Sequence, residues 1–182
     1  MSLSTFEQFL AHREQHGPYT EFYDGELIVI DEYSPEHIRV ANELTGMLQP
    51  QLLESAWEIY ANPLVRIKDA HFDIAYSADI VLAGKMPNPP YIEYPLLIID
   101  LFTRYSAHKN VGCRRYDYYL VPSLRHYIEV NIDQRWVMTH DRIAPNQWLL
   151  TEPRAAAQVI ELMGMAMDFS RIFQGLLMKS DI

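Results

Sequence analysis

The segment Leu96–Phe102 reads LLIIDLF, and six of its seven residues are apolar. A continuous apolar run of this length is typical of a strand buried on both faces of a sheet. Its one polar residue is Asp100. An ionised carboxylate in such a strand is unfavourable unless it is paired, hydrogen-bonded or bound to a cation. The segment therefore predicts a central strand that carries an acid with a specific role.

A second segment upstream, Ser77–Leu82, repeats this pattern with Asp79 at the entry to an apolar strand. The two aspartates are 21 residues apart, on strands joined by a proline-rich loop at 85–95. They could converge on one divalent cation, and Mg²⁺ suits such a pair because it takes one or two carboxylates and keeps several waters. The alternative is a structural role, in which each aspartate pairs with an arginine or accepts backbone N–H bonds.

The surrounding sequence predicts how these strands are connected. Asp24-Gly25 predicts a two-residue hairpin between strands at 19–23 and 26–31. Ser34-Pro35 opens a helix whose apolar spacing continues to about residue 55. A helix between the strands at 96–102 and 127–131 is long enough for a parallel crossover. Further strands are expected at 57–61, 64–67, 73–82, 136–140, 148–150 and 159–162, and further helices at 4–16, 106–121 and 169–177.

This order of elements predicts an α/β (α+β) fold in which helices flank a mixed β-sheet. With 182 residues, 49% of them hydrophobic and 21% charged, we expect one packed domain over 1–182. The single cysteine, Cys113, cannot form an internal disulfide. No signal peptide and no apolar run of membrane-spanning length is visible, so we expect a cytoplasmic protein.

The charge balance limits the partners to consider. A formal net charge of −9 opposes non-specific attraction to a phosphate backbone, so nucleic-acid binding would need a local basic face. The candidates for such a face are Arg104, His108, Lys109, Arg114 and Arg115. The chain has no G-x-S-x-G turn and no glycine-rich phosphate loop, which argues against a serine hydrolase and a dinucleotide enzyme.

Several short motifs occur in a specific order: YDGEL at 23–27, SPEH at 34–37, YSADI at 76–80, LLIIDLFT at 96–103 and YYLVPSLRHY at 118–127. In this order and spacing the chain resembles the bacterial Uma-type restriction endonuclease family, a branch of the PD-(D/E)xK nuclease superfamily. The resemblance extends from about Tyr19 to Leu177. It implies a restriction-endonuclease-like fold and a metal-dependent DNA endonuclease using Mg²⁺ or Mn²⁺. We also expect a homodimer.

The resemblance assigns roles residue by residue. It implies that Asp79 and Asp100 are the metal ligands and that Arg114 is a third catalytic residue, in the place of the family's lysine. A guanidinium keeps its charge throughout the working pH range, so Arg114 could stabilise negative charge but could not act as a base. The supporting positions implied by the resemblance are Glu26, His37 and Asn110. Lys109 is a candidate replacement for the lost lysine, although five residues from Arg114 along a helix it would point elsewhere.

Four positions depart from the family pattern. Ala78 stands for proline, Asp100 for glutamate, Asn110 for aspartate and Arg114 for lysine. Because catalytic geometry tolerates only small displacements, these changes favour an alternative function, a catalytically inactive nuclease-fold module for binding or assembly.

Other polar and aromatic residues have two interpretations each. Asp69, His71 and Asp73 have metal-like composition, but their surroundings favour a solvated turn. Tyr116, Tyr118 and Tyr119 could stack on bases, but a packing face is favoured because Tyr118 and Tyr119 cannot both face one groove.

Overall fold

Three β-sheets, one of them a two-stranded ribbon, and four α-helices make up most of the described part of the computed structural model, which covers residues 5–87, 89–103, 111–155 and 159–174. The helices are α1 (Phe6–His16), α2 (Pro35–Leu48), α3 (Val111–Tyr119) and α4 (Phe169–Gln174). The strands are β1 (Thr20–Tyr23), β2 (Glu26–Val29), β3 (Trp57–Ala61), β4 (Leu64–Lys68), β5 (Asp73–Ser77), β6 (Ile80–Gly84), β7 (Leu97–Phe102), β8 (His126–Asn131), β9 (Trp136–Ala144), β10 (Gln147–Ala155), β11 (Val159–Leu162) and β12 (Met165–Asp168).

The larger sheet is mixed, as the sequence predicts. Its strand order is β10-β9-β8-β7-β6-β3, and β7 runs parallel to β8 while its other pairs are antiparallel. The smaller sheet has the order β2-β1-β5-β4, and β11 and β12 form a separate antiparallel ribbon. Helices flank the larger sheet, so the predicted α/β (α+β) class, a mixed sheet flanked by helices, is confirmed.

The two strongest local signals form the elements they predict. Asp24 and Gly25 both have positive φ, 45° and 88°, as a two-residue hairpin turn requires. Ser34 caps α2 by accepting a hydrogen bond from the backbone N–H of His37 at 3.2 Å. The helix ends at Leu48 and a 3₁₀ turn follows over Gln49–Leu52, because Pro50 has no N–H to continue the helix.

The predicted strand at 73–82 is wrong, because this segment forms two strands in two different sheets. β5 pairs with β1 and β4, whereas β6 pairs with β3 and β7. Between them, the N–H of Ala78 donates to the carbonyl of Pro63 and the N–H of Asn62 donates to the carbonyl of Asp79. Asp79 therefore lies where the chain leaves one sheet for the other. Both halves are buried apolar runs, so periodicity could not reveal the break.

The hydrophobic core covers both faces of the larger sheet. One face packs against α2 and α4, and the other packs against α3 and the smaller sheet. The helices of the described ranges are all too short or too polar to span a bilayer. The strand β12 was not predicted. The expected helical residues before Val111 and after Gln174 lie outside the described residues.

Candidate active site

Five polar side chains from distant parts of the chain converge where the two sheets meet. All five are almost fully buried, with relative exposures between 0 and 3%. β1, the start of α2, the junction between β5 and β6, β7 and α3 each supply one of them. We call Glu21, His37, Asp79, Asp100 and Arg114 the acid cluster.

Asp79 is held by two hydrogen bonds, one at each carboxylate oxygen. Nε2 of His37 lies 2.8 Å from Oδ1, and the backbone N–H of Leu101 donates to Oδ2 at 2.6 Å. The β6–β7 register pairs Ile80 with Ile99, so one step further places Asp79 opposite Asp100. Opposite residues in an antiparallel pair project to the same face. Asp79 therefore contacts β7 at the residue next to Asp100, so the two aspartates that the sequence singled out lie in one buried site.

Arg114 links the acids to the backbone. It pairs with Oε1 of Glu21, donates to the carbonyl of Ser77 at 3.2 Å, and lies 3.6 Å from Oδ2 of Asp100. Its guanidinium also sits 4.7 Å from the centre of the Tyr76 ring. Burial by itself lowers the pKa of Arg114, but the charge of Glu21 and then that of Asp100 outweigh it and keep the pKa well above its ordinary value. Arg114 is therefore a fixed positive charge.

Two aromatic side chains support the acids from outside the cluster. The hydroxyl of Tyr127 donates to Oδ2 of Asp100 at 3.2 Å, and burial, reinforced by the charge of Asp100, raises the pKa of Tyr127. The phenol thus stays protonated as a donor. The ring of Tyr33 stacks on His37 with 4.3 Å between centroids and an interplanar angle of 15°. This stack and the Ser34 cap fix the imidazole that contacts Asp79.

The other residues implied by the resemblance have different positions. Glu26 is exposed beside the hairpin turn, opposite Tyr23, and Glu21 is instead the acid that the hairpin brings into the cluster. The sequence signal of Glu21 is weaker than that of Asp100, because β1 is only four residues long and contains Thr20 beside Phe22 and Tyr23. Arg104, His108, Lys109 and Asn110 lie outside the described residues. Arg115 forms two 2.8 Å hydrogen bonds with Glu129 rather than contributing to the acid cluster.

The polar group around His71 is a turn, as its sequence favours. Oδ1 of Asp69 accepts from the backbone N–H of His71 at 2.6 Å and from that of Phe72 at 3.0 Å. Asp73 instead forms a two-bond ion pair with Arg66. These side chains hold the β4–β5 connection.

The acid cluster fits one kind of metal site and not another. Within the ranges that the structure describes, no three His, Cys, Asp or Glu side chains form a group able to hold an ion. A site built from three or more such ligands is therefore not found there. However, three buried carboxylates lie with one guanidinium and one imidazole where the two sheets meet, and buried carboxylates need such partners or a cation. Asp79 and Asp100 suit an Mg²⁺-type site, completed by waters and substrate phosphate.

Comparisons with known proteins identify the fold. No family model matches the chain. The uncharacterized protein sll1609 of Synechocystis sp. (strain PCC 6803) is 24% identical over 153 residues, which cover 81% of this chain and 86% of that protein. A crystal structure from Anabaena variabilis ATCC 29413, described as "a putative nuclease belonging to DUF820", matches with a TM-score of 0.68 and 10% identity. The match covers 91% of this chain and 97% of that one, and at this identity it shows the shared fold alone.

Proposed function

We propose that this chain is a DNA endonuclease that hydrolyses phosphodiester bonds with Mg²⁺ or Mn²⁺ bound at Asp79 and Asp100. The observation that carries the proposal is that two fully buried aspartates share one site, because Asp79 accepts a hydrogen bond from the backbone N–H of Leu101, the residue next to Asp100. A buried carboxylate costs folding free energy unless it is paired, hydrogen-bonded or bound to a cation. The nuclease-like fold of the Anabaena protein, which spans nearly the whole chain, agrees with this chemistry.

The residues of the acid cluster have distinct roles in this proposal. Asp79 and Asp100 would hold the divalent cation, which would supply polarisation of the scissile phosphate and a lower pKa for a water at the site. His37 and the Leu101 N–H orient Asp79, and Tyr127 orients Asp100. Arg114 provides positive charge against the negative charge that develops on the phosphate. Glu21 and the Ser77 carbonyl position that guanidinium.

A second function is favoured by one specific observation. Arg114 is 1% exposed and already engages Glu21 and Asp100, so its charge compensates part of what a cation would. Together with the substitutions at Ala78, Asp100 and Arg114, this arrangement suits a catalytically inactive nuclease-fold module for binding or assembly. In that case the acid cluster would have a structural role.

Plasmid nicking distinguishes the two functions. With supercoiled plasmid and added Mn²⁺, we expect nicking by the wild type and background activity for Asp79→Ala and Asp100→Ala. The matched control is Glu26→Gln, an exposed acid outside the cluster, which should retain full activity. A thermal shift with Mn²⁺ in the wild type and not in Asp79→Ala would report binding independently of cleavage. Equal background nicking by the wild type and Asp79→Ala would leave the inactive module as the function.

The homodimer and the cytoplasmic location expected from the sequence remain predictions. Sedimentation equilibrium at several protein concentrations tests the first of them. A single species at the monomer mass would contradict the homodimer without affecting the proposed chemistry.

A further inference from the structure

A surface beyond the acid cluster combines aromatic rings with arginines. Tyr116 and Arg125 are exposed, the former with 66% of its surface accessible, and the other members are half-buried. We call Tyr116, Tyr119, Arg125, Arg142 and Trp148 the arginine–aromatic surface. None of these residues takes part in the proposed cleavage.

The sheet register builds this surface. Arg142 pairs with Trp148 across β9 and β10, and the Arg142 N–H donates to the carbonyl of Arg125 at 2.8 Å. Because His126 pairs with Asp141, one step further places Arg125 opposite Arg142. Arg125, Arg142 and Trp148 therefore form a row across three strands on one face.

Helix α3 adds two rings to this row. Tyr119 stacks on Trp148 with 4.3 Å between centroids and an interplanar angle of 15°. Tyr116, three residues earlier on the same helix, meets Tyr119 edge to face at 6.1 Å. Its own ring remains exposed. The result is an exposed aromatic ring beside an ordered stack, a geometry on which a flat ligand can rest.

Neither arginine of this surface forms an ion pair with a carboxylate among the described residues. Arg142 lies 4.4 Å from the Trp148 ring centre and donates to the backbone carbonyls of Leu124, Tyr119 and Val121 rather than to a carboxylate. Arg125 is exposed, and no ion pair is found for it within the described ranges. Burial and then repulsion from Arg125 lower the pKa of Arg142, which is consistent with two neighbouring like charges. In a chain of net charge −9, this local positive surface complements an anionic partner.

We propose that the arginine–aromatic surface binds single-stranded DNA, with a base stacked on Tyr116 and a phosphate at Arg125. Aromatic platforms beside cationic side chains are how proteins bind single strands without reading sequence. The choice of DNA rests on the proposed function. Double-stranded DNA fits less well, because stacked base pairs offer no free base face to Tyr116.

The arginine–aromatic surface and the acid cluster share helix α3. Arg114 and Tyr119 lie five residues and about 7.5 Å apart along its axis. Tyr127 and His140 lie between Asp100 and the surface, and both are fully buried, with Tyr127 5.2 Å from His140 and His140 5.9 Å from Tyr119. The two sites are therefore close together but separated by buried side chains, and the surface is a binding site distinct from the proposed cleavage site.

Tyr116 and Arg125 are the residues to change. Arg142 also ties the end of α3 to the sheet, so its removal would disturb folding. Tyr116 and Arg125 have exposed side chains and make no such connection. Matched controls exist elsewhere on the surface: Tyr94, which is 72% exposed, and Lys85, which is exposed.

The test is fluorescence anisotropy with fluorescein-labelled oligo-dT, in EDTA so that no cleavage occurs. We expect Tyr116→Ala to weaken binding about tenfold, since stacking contributes strongly for each base. Arg125→Gln should reduce the slope of log K against log salt by about 0.7, the loss of one phosphate contact on a single strand. Tyr94→Ala and Lys85→Gln should bind as the wild type does.

The outcomes separate this proposal from the proposed cleavage. If the protein binds the oligonucleotide through Tyr116 but never nicks plasmid, the binding proposal is supported and the endonuclease proposal is contradicted. Three results would contradict binding of single-stranded DNA at the arginine–aromatic surface. They are equal affinity for all four variants, no saturable binding of the oligonucleotide, and equal competition by a duplex. A fourth result would also contradict it: the wild type self-associates, and Tyr116→Ala abolishes this self-association without changing oligonucleotide binding. The partner of the surface would then be a second copy of the chain.

Discussion

Among single residues, Arg114 has the largest expected effect on stability. Its guanidinium is 1% exposed and faces Glu21 and Asp100, which are themselves buried. Removing one partner of a buried ion pair leaves the other charge buried without compensation, and this lowers the free energy of unfolding strongly. Replacing both partners by apolar residues of similar volume changes it much less.

We expect Arg114→Met to lower the free energy of unfolding by about 3–5 kcal/mol in urea denaturation. The control is Arg39→Gln, which breaks the partly exposed helical pair between Arg39 and Glu43 and should cost about 0.5 kcal/mol. A loss below about 1 kcal/mol for Arg114→Met would show that the acids do not depend on its charge.

Glu129 predicts a specific dependence of stability on pH. Burial alone would raise the pKa of Glu129, but His140, whose Nε2 lies 3.7 Å from Oε1, and the two hydrogen bonds from Arg115 outweigh it and lower the pKa below its ordinary value. A carboxyl with a depressed folded pKa contributes stability above its unfolded pKa and loses that contribution as the pH falls through the folded value. The contribution should therefore be complete at neutral pH and disappear below about pH 4.

We expect Glu129→Gln to be less stable than the wild type at pH 7, with the difference shrinking as the pH is lowered toward 3. Urea titrations of both proteins across this range measure it. Glu161→Gln, at an exposed position, should track the wild type at every pH. A constant difference between wild type and Glu129→Gln would contradict the role of this ionisation.

At the level of elements, the first turn of α2 both caps the helix and supplies His37 to the acid cluster. Ser34 accepts the N–H of His37, and the ring of His37 contacts Asp79. A defect in the cap should therefore affect both the helix and the orientation of one proposed metal ligand.

Ser34→Ala should cost about 1 kcal/mol of unfolding free energy and also reduce the Mn²⁺-induced thermal shift. Thr5→Ala is the matched control, because Thr5 caps α1 through a 3.3 Å bond to the N–H of Gln8, away from the cluster. It should cost a similar amount while leaving the Mn²⁺ response intact. If both variants respond to Mn²⁺ alike, the cap does not act through His37.

For the whole molecule, the junction at Ala78 and Asp79 ties the two sheets together. The same chain segment supplies β5 to one sheet and β6 to the other, and Arg114 bridges Glu21 of the smaller sheet and Asp100 of the larger one. Loss of either sheet should therefore remove partners of buried charges in the other.

We expect one cooperative unfolding transition, in agreement with the single domain predicted for 1–182. All three tryptophans, Trp57, Trp136 and Trp148, lie in strands of the larger sheet, so their fluorescence reports that sheet, whereas far-UV circular dichroism reports both. The two signals should change at the same urea concentration. Separate midpoints would mean that the sheets unfold independently.

The sequence alone determined the features that depend on neighbouring residues. The Asp24-Gly25 turn, the Ser34 cap and the buried strand around Asp100 follow from turn chemistry, capping and an apolar run, each legible within a few residues. The parallel crossover followed from the length of the connection between β7 and β8. Asp79 and Asp100 were recognisable because a carboxylate inside an apolar run is unfavourable unless it has a partner.

Only the tertiary structure decided which side chains meet. Glu21 rather than Glu26 enters the acid cluster, Arg115 pairs with Glu129, and the segment around Asp79 divides between two sheets. The partners are far apart along the chain: Arg114 and Glu21 are separated by 93 residues, and His37 and Asp79 by 42. Local patterns set an element's type and its buried face, but they do not encode the register and packing that bring distant charges into contact.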